Sequence, residues 1–351
     1  MTDHNVTDLD VAVIGGGISG LVVADALIRA GRSVRVFEAR DRLGGRIHTV
    51  DVPGGQADLG PTWFWPGEER VAALVEELGL AVHDQWTAGD ALFVVDGTTH
   101  RITAPAIPPA FRFSNGASSL VEGLANRIPS EVVRLSSPVA RVHRGTGCIN
   151  IELADETVTA ANVVIALAPS LAVRGGLIET NDLDPALAQV ASALPVWMGA
   201  IAKAVAVYER PFWRELGFSG LVSAPGSAFS EIHDMSGPEG SPAMLFGFGG
   251  RSPQIDSVGA DAFARQLSGL FGAMDDPLEL HVVDWSAEAY TTNPAATANT
   301  NYDLFGHPVF QHASWDGRLH WASTETATVA PGHIEGALAA AERTVRALTE
   351  R

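Results

Sequence analysis

The spacing Gly15-x-Gly17-x-x-Gly20, followed eighteen residues later by Glu38, is the most chemically specific pattern in the chain. Glycines so placed permit a tight turn, a close backbone approach to a pyrophosphate, and close packing of a helix on a strand. Free N–H groups at the helix N-terminus then receive the anionic oxygens. An acidic residue at the distance of Glu38 accepts hydrogen bonds from ribose hydroxyls. That chemistry is dinucleotide binding. Gly145-Thr146-Gly147 starts the same way but lacks the third glycine and lies between two expected strands, so it reads as a hairpin turn. If the nucleotide is a flavin, one dinucleotide site and no second fingerprint point to an organic substrate as the source of reducing equivalents.

Other side chains stand out singly. Lys203 lies in an apolar run where it shares a strand face with Ile201, Val205 and Val207. Burying an unpaired ammonium is costly, so function or a partner must compensate, unless the lysine snorkels from an edge strand. His333 stands at the expected start of a helix, whose dipole favours the neutral imidazole. A plain surface histidine is the alternative. Trp63, Phe64 and Trp65 form an aromatic run after a Gly-Pro turn, and Trp285 and Tyr290 lie further on. Such rings are either cavity walls or core.

The elements that must position these groups follow from periodicity. Leu9–Ile14 reads as a buried strand, Ser19–Ala30 as a helix stopped by Gly31, and Ser33–Phe37 as a second strand. Strand, turn, helix and strand imply a parallel sheet. Glu69–Leu78 and the stretch from Leu120 to Ile128 read as helices. Val132–His143 and Ile149–Val158 read as hairpin strands, and Val163–Leu167 as another buried strand. Met198–Tyr208 opens a strand-rich region reaching Trp285, and His333–Leu348 is the closing helix. Ala104–Ala110, with Pro105, Pro108 and Pro109, suits neither regular element and is expected to cross between domains.

With 351 residues, 46% hydrophobic and 18% charged, the chain can bury a sizeable core and is expected to form two connected domains. A formal charge of −18 argues against nucleic acid or an anionic membrane as partner. Cys148 is the only cysteine, which excludes an intramolecular disulfide and a multi-cysteine metal site. The histidines form no zinc pattern, so no metal is expected. The polar start, the lack of a spanning apolar run and the charged end lead us to expect a soluble cytoplasmic protein.

Past the ribose carboxylate, Arg40, Arg42 and Gly44-Gly45 supply donors and close backbone approach to a pyrophosphate, which favours flavin over nicotinamide. From Val11 to Thr49 the chain resembles the N-terminal signature of the flavin-containing monoamine oxidase family. Further stretches match that family in order. Asp58-Leu59-Gly60-Pro61-Thr62-Trp63 resembles the loop passing the flavin ring. Lys203–Tyr208 with Pro211-Phe212-Trp213-Arg214 resembles the strand carrying the family's lysine. Trp285 with Tyr290 resembles the segment before the wall on the flavin's re face. Trp321–Thr326 and Gly332–Ala337 resemble the closing motifs.

The resemblance implies an α/β fold in which a Rossmann-type FAD-binding domain is interleaved with a mixed-sheet α+β substrate domain. Residues 1–82, 112–192 and 284–351 would form the first, and 83–111 and 193–283 the second. It implies FAD held by Gly15, Gly17, Gly20, Glu38, Ala39 and Arg40 at the nucleotide end and by Arg46, Gly60, Pro61 and Thr62 nearer the ring. Val139, Trp285, Glu325, Ile334 and Ala337 complete that set. Lys203, His333, Trp63 and Tyr290 are the candidate catalytic residues, the lysine holding a water that assists the reaction with O2. The implied reaction moves a hydride equivalent from an amine α-carbon to the flavin, and O2 then takes the electrons to give hydrogen peroxide. A desaturase or dehydrogenase acting on a non-amine, and a flavin-binding protein of low turnover, are the alternatives.

Departures from the family bear on the substrate. Pro294 stands where mitochondrial members link flavin to a cysteine, so FAD is expected to be non-covalent. Ala295 and His333 replace the two aromatic walls beside the substrate, and Ser323 replaces a customary glycine. Ala104–Ala110 stands where members carry a helical cover.

Overall fold

The structure, a computed structural model, describes residues 8–250, 255–272, 275–292 and 301–350. Pro294 and Ala295 lie outside the described residues. The chain begins with β1 (Leu9–Ile14), α1 (Ile18–Arg29) and β2 (Val34–Phe37), joined by the fingerprint turn. β1 pairs in parallel with β2 on one side and with Thr157–Ile165 on the other, Val13 facing Val36 and Val164. Leu319–Trp321 extends the sheet in parallel beyond the second half of Thr157–Ile165. The first half of that strand instead pairs antiparallel with Ile149–Glu152, which forms a hairpin with Arg141–Arg144.

β1 is apolar throughout because both faces are covered. Val11 and Val13 pack with α1 and the last helix, Ile334–Thr349, through Leu21, Leu27, Leu338 and Ala341. Ala12 and Ile14 turn to the opposite cluster with Phe37, Val163, Ile165 and Leu187.

A second sheet runs in the order Glu279–Asp284, Ala202–Tyr208, Ala243–Gly249, Phe229–Asp234, Phe218–Ser223, Asp90–Val95 and Thr98–Ile102. Ala202–Tyr208 is interior, with antiparallel partners on both sides. One of its faces, Ala204, Ala206 and Tyr208, packs against Phe263, Leu267 and Phe271 of the helix Ile255–Phe271. The other, Val205 and Val207, meets Ala57, Leu59, Met244 and Phe246. A small sheet joins Trp63–Phe64, Phe111–Phe113 and Val82–Asp84, and so straddles the expected domain boundaries at 83 and 111.

Three local expectations are corrected. The expected strand Val132–His143 is two pieces, Val133–Arg134 and Arg141–Arg144, parted by a stretch in which Ser136 takes a positive φ of 49° and Pro138 breaks any ladder. Ile149–Val158 breaks after Glu152, where Leu153 N–H bonds to Glu156 O at 2.9 Å in a turn that starts the next strand. The region read as strand-rich up to Trp285 contains the seventeen-residue helix Ile255–Phe271. Gly145–Gly147 does lie in the turn of its hairpin, and 103–110 carries no regular element.

Candidate cofactor and active site

At the fingerprint turn a Cβ on Gly20 would run into the carbonyl oxygen of Gly15, so only glycine lets α1 rise so close to β1. A Cβ on Gly17 would meet only Gly44 O, at 3.8 Å, which leaves the turn open to a ligand. The first intrahelical bond of this turn runs from Leu21 N–H to Gly17 O at 3.0 Å, so the amides of Ile18 and Ser19 precede the ladder. Glu38 is buried, and its carboxylate is pinned by the N–H of Gly16 at 2.7 Å and of Arg40 at 2.9 Å. This open turn with its fixed acceptor fits the nucleotide half of a dinucleotide.

A cavity of about 640 Å³ runs from this turn to Lys203, and all the expected site residues except Gly20 and Glu325 line it. Gly20 acts through packing. Glu325, fully buried, takes both Nη atoms of Arg46, at 2.6 and 3.2 Å, and the N–H of Trp197 at 3.3 Å. It therefore holds Arg46 and Trp197 in the wall rather than forming wall itself. Val139 reaches the cavity from the irregular stretch between Arg134 and Arg141, and Ala39, Pro61 and Ile334 line it directly.

Arg42 corrects a further expectation. Arg42 donates to the carbonyls of Leu43, Gly45 and Ile47, so it staples its own loop. Arg40 donates to Glu288 at 2.9 Å and Thr291 at 2.8 Å, tying the nucleotide loop to the segment after Trp285. Tyr290 is half exposed, and its ring lies 5.5 Å from the Arg40 guanidinium. The structure thus puts Tyr290 at the Arg40 end of the cavity, apart from the other candidate catalytic side chains. Trp285 is buried and donates its indole N–H to Leu59 O at 3.0 Å, which fixes the loop Leu59–Thr62.

Lys203 lies on the Val205–Val207 face of an interior strand and is 1% exposed, so it does not snorkel. Its Nζ donates to Gly60 O at 2.8 Å and to Thr62 Oγ1, and lies 4.3 Å from the centre of the Phe246 ring. Burial lowers its pKa to about 7; Asp58 opposes that shift and Arg112 adds to it. Lys203 is also the only lysine in the chain, since the 23 Lys and Arg residues comprise one lysine and 22 arginines. Composition alone carried that signal.

Rings continue the wall. Phe248 and Phe246 lie 6.5 and 5.3 Å from Trp63, which meets Trp65 at 6.0 Å. Trp65 stacks 4.8 Å from His333, which lies 6.2 Å from Trp197. Gly332, at φ 92°, admits Trp197: a Cβ there would come within 2.6 Å of its ring. Trp65 and Trp197 therefore supply aromatic surface beside His333, where the sequence suggested a loss of rings. His333 caps the last helix and sets Nδ1 2.7 Å from Glu68 Oε1. A carboxylate only accepts, so Nδ1 carries the hydrogen. Glu68 itself is fixed by Trp65 N–H at 2.9 Å. Ala337 N–H is spent on His333 O at 3.2 Å, which leaves the amide of Ile334 ahead of the ladder. Sequence reasoning missed Glu68, Trp197, Asp58 and Arg112.

A family model described as flavin containing amine oxidoreductase matches residues 18–113 and 109–349. The chain is 25% identical to putrescine oxidase of Kocuria rosea, across 94% of this chain and 92% of that one. It is 24% identical to flavin-containing amine oxidase B of Sus scrofa, across 96% and 85%. Among solved structures, cyclohexylamine oxidase from Brevibacterium oxydans superposes with a TM-score of 0.81 at 23% identity, covering 98% of this chain and 99% of that one. Wild-type putrescine oxidase bound to putrescine superposes with a TM-score of 0.79 at 20% identity, covering 98% and 99%.

Proposed function

The chain belongs to the flavin-containing amine oxidoreductase family, and on that premise we propose that it is an FAD-dependent amine oxidase. The observation that carries this reading is the joining of the fingerprint turn, Lys203 and His333 along one cavity. When bound, FAD supplies the electron chemistry, accepting a hydride equivalent from the amine α-carbon and passing two electrons to O2 with release of hydrogen peroxide.

The chain's own groups bind, orient and exchange protons. Ile18 and Ser19 amides at the start of α1 would receive the diphosphate, and Glu38 the ribose hydroxyls. The Ile334 amide, ahead of the last helix's ladder, is offered to the ring end. Glu68 fixes the His333 ring so that Nε2 is left to hold the substrate nitrogen, with Trp65 and Trp197 shielding it from water. Lys203 is assigned to the oxygen half of the reaction, because a buried amine whose pKa burial lowers to about 7 can give and take a proton.

FAD is proposed to be non-covalent, since Cys148, the single cysteine, sits at the Gly145–Ile149 turn and does not line the cavity. Residues 1–82, 112–192 and 284–351 are assigned to the FAD domain and 83–111 and 193–283 to the substrate domain. The two large sheets support that division.

Anaerobic mixing of the yellow protein with a panel of amines tests the function. Bleaching of the flavin by an amine, then recovery of colour and formation of peroxide on admitting air, is the expected result. Bleaching by a non-amine alone would overturn it.

A further inference from the structure

Two ionisable side chains are buried behind the cavity wall near Lys203, and neither has a part in the function proposed above. Asp58 is 1% exposed and Arg112 4% exposed, and neither lines the cavity. Arg112 and Lys203 converge on one residue. Thr62 Oγ1 accepts from Lys203 Nζ, while Thr62 O accepts from Arg112 Nε at 3.1 Å. Asp58 Oδ1 is anchored by Thr49 Oγ1 at 2.6 Å and Ala117 N–H at 2.9 Å.

The charges do not balance around the lysine. Two buried bases face one buried carboxyl, and arginine cannot give up its proton. Burial pushes the Asp58 carboxyl up from the usual carboxylate range; among the charges that oppose this, Arg112 acts more strongly than Lys203. Among the described residues the other neighbours of Lys203 offer no counter-charge: Ala243–Gly249 presents the Phe246 and Phe248 rings, and Glu279–Asp284 sets Val283 opposite it in register. His233 stacks 5.4 Å from Phe246, and the charges of Asp234 and Arg214 act on Arg112.

We infer that Asp58, by its charge, and Arg112, through Thr62, are positioning residues that adjust the charge of the buried Lys203 and leave it a proton-exchanging amine. The choice of residue agrees. Among 23 cationic side chains this is the one lysine, at the one place where the proton must come off. The neutral amine takes a proton from a group in the cavity, becomes the ammonium, and returns the proton later; no electron moves at this residue. The use of that proton rests on the oxidase reading, but the protonation itself does not.

The single lysine also makes the test direct. Lysine labelled with carbon-13 at Cε gives one side-chain resonance, whose chemical shift follows the Nζ proton as the FAD-loaded protein is titrated without substrate. A wild-type midpoint near 7 is expected. Asp58→Asn, which keeps an oxygen for Thr49 and Ala117, should lower the midpoint by about 1 unit. Arg112→Gln releases the carboxyl to Lys203 and should raise it by about the same amount. If Arg112→Gln fails to keep its FAD, Asp58→Asn decides alone. A wild-type midpoint near 10.5, an unmoved midpoint in Asp58→Asn, or shifts of the same sign in both variants overturns the inference. Because no substrate is used, a failure here is separate from a failure of any amine to bleach the flavin.

Discussion

Glu68 and His333 are 265 residues apart in the chain and 2.7 Å apart in the fold, carboxylate to Nδ1, at the point where two helices begin. The pair turns a ring that could rotate freely into one with a fixed tautomer and a fixed free nitrogen. His333→Ala should therefore keep FAD and slow anaerobic flavin reduction by an amine about tenfold, the value of one well-placed hydrogen bond. Glu68→Gln, which retains an acceptor oxygen, should cost less. Stopped-flow traces of the reductive half-reaction check both, and equal rates in wild type and His333→Ala would return His333 to a capping role.

Lys203→Met separates the two halves of the catalytic cycle. The methionine fills the same apolar face beside Phe246 but exchanges no proton. FAD should stay bound, and reoxidation of the reduced flavin by O2 should slow far more than its reduction by substrate. Rapid mixing of reduced protein with oxygenated buffer measures the first step alone. Unchanged reoxidation would assign the lysine to structure.

Arg46 and Glu325 make the third test. The carboxylate is fully buried and the guanidinium partly exposed along the cavity, so the pair organises a cofactor wall rather than a surface. Glu325→Ala leaves Arg46 and the Trp197 N–H without their common acceptor. Removing one partner of a buried pair costs roughly 3–5 kcal/mol, and the partial exposure of Arg46 brings the expectation to the low end. Weaker FAD retention on gel filtration and a lower melting temperature are expected together. Glu325→Gln should restore part of both.

Which of these relationships the sequence could reveal depends on distance along the chain. β1, α1 and β2 were legible because their periodicity, the glycine turn and the stop at Gly31 are local signals. The pairs Glu68–His333 and Arg46–Glu325 were not, because no local pattern links residues more than 260 positions apart. Helix Ile255–Phe271 hid behind its small residues, although Phe263, Leu267 and Phe271 recur at helical spacing. Val132–His143 was over-extended because its valines read as strand, while Pro138 and the positive φ at Ser136 are what swing Val139 to the cavity. Lys203 could be singled out by its apolar face, but the cation that meets it at Thr62, Arg112, comes from a different strand.

Burial of Lys203 also leaves a mark on stability. The free side chain releases its proton near 10.5, and the folded protein releases it at about 7. Between those values the unfolded chain binds more protons than the folded one, so this residue makes stability rise with pH across that window. Below pH 7 the folded state bears the full cost of a buried ammonium, on the order of 5 kcal/mol, and above 10.5 it bears none of it. Lys203→Met removes the cost, and it also removes the donor to Gly60 O and Thr62 Oγ1, which returns roughly 1–2 kcal/mol. The variant should therefore melt higher than wild type at pH 7, and the gap should close as the pH approaches 10. Melting curves of both proteins with FAD bound, at intervals from pH 6 to 10, measure the gap. A gap that stays constant with pH would mean that Lys203 carries the same charge folded and unfolded, and would remove the basis for its role in proton exchange.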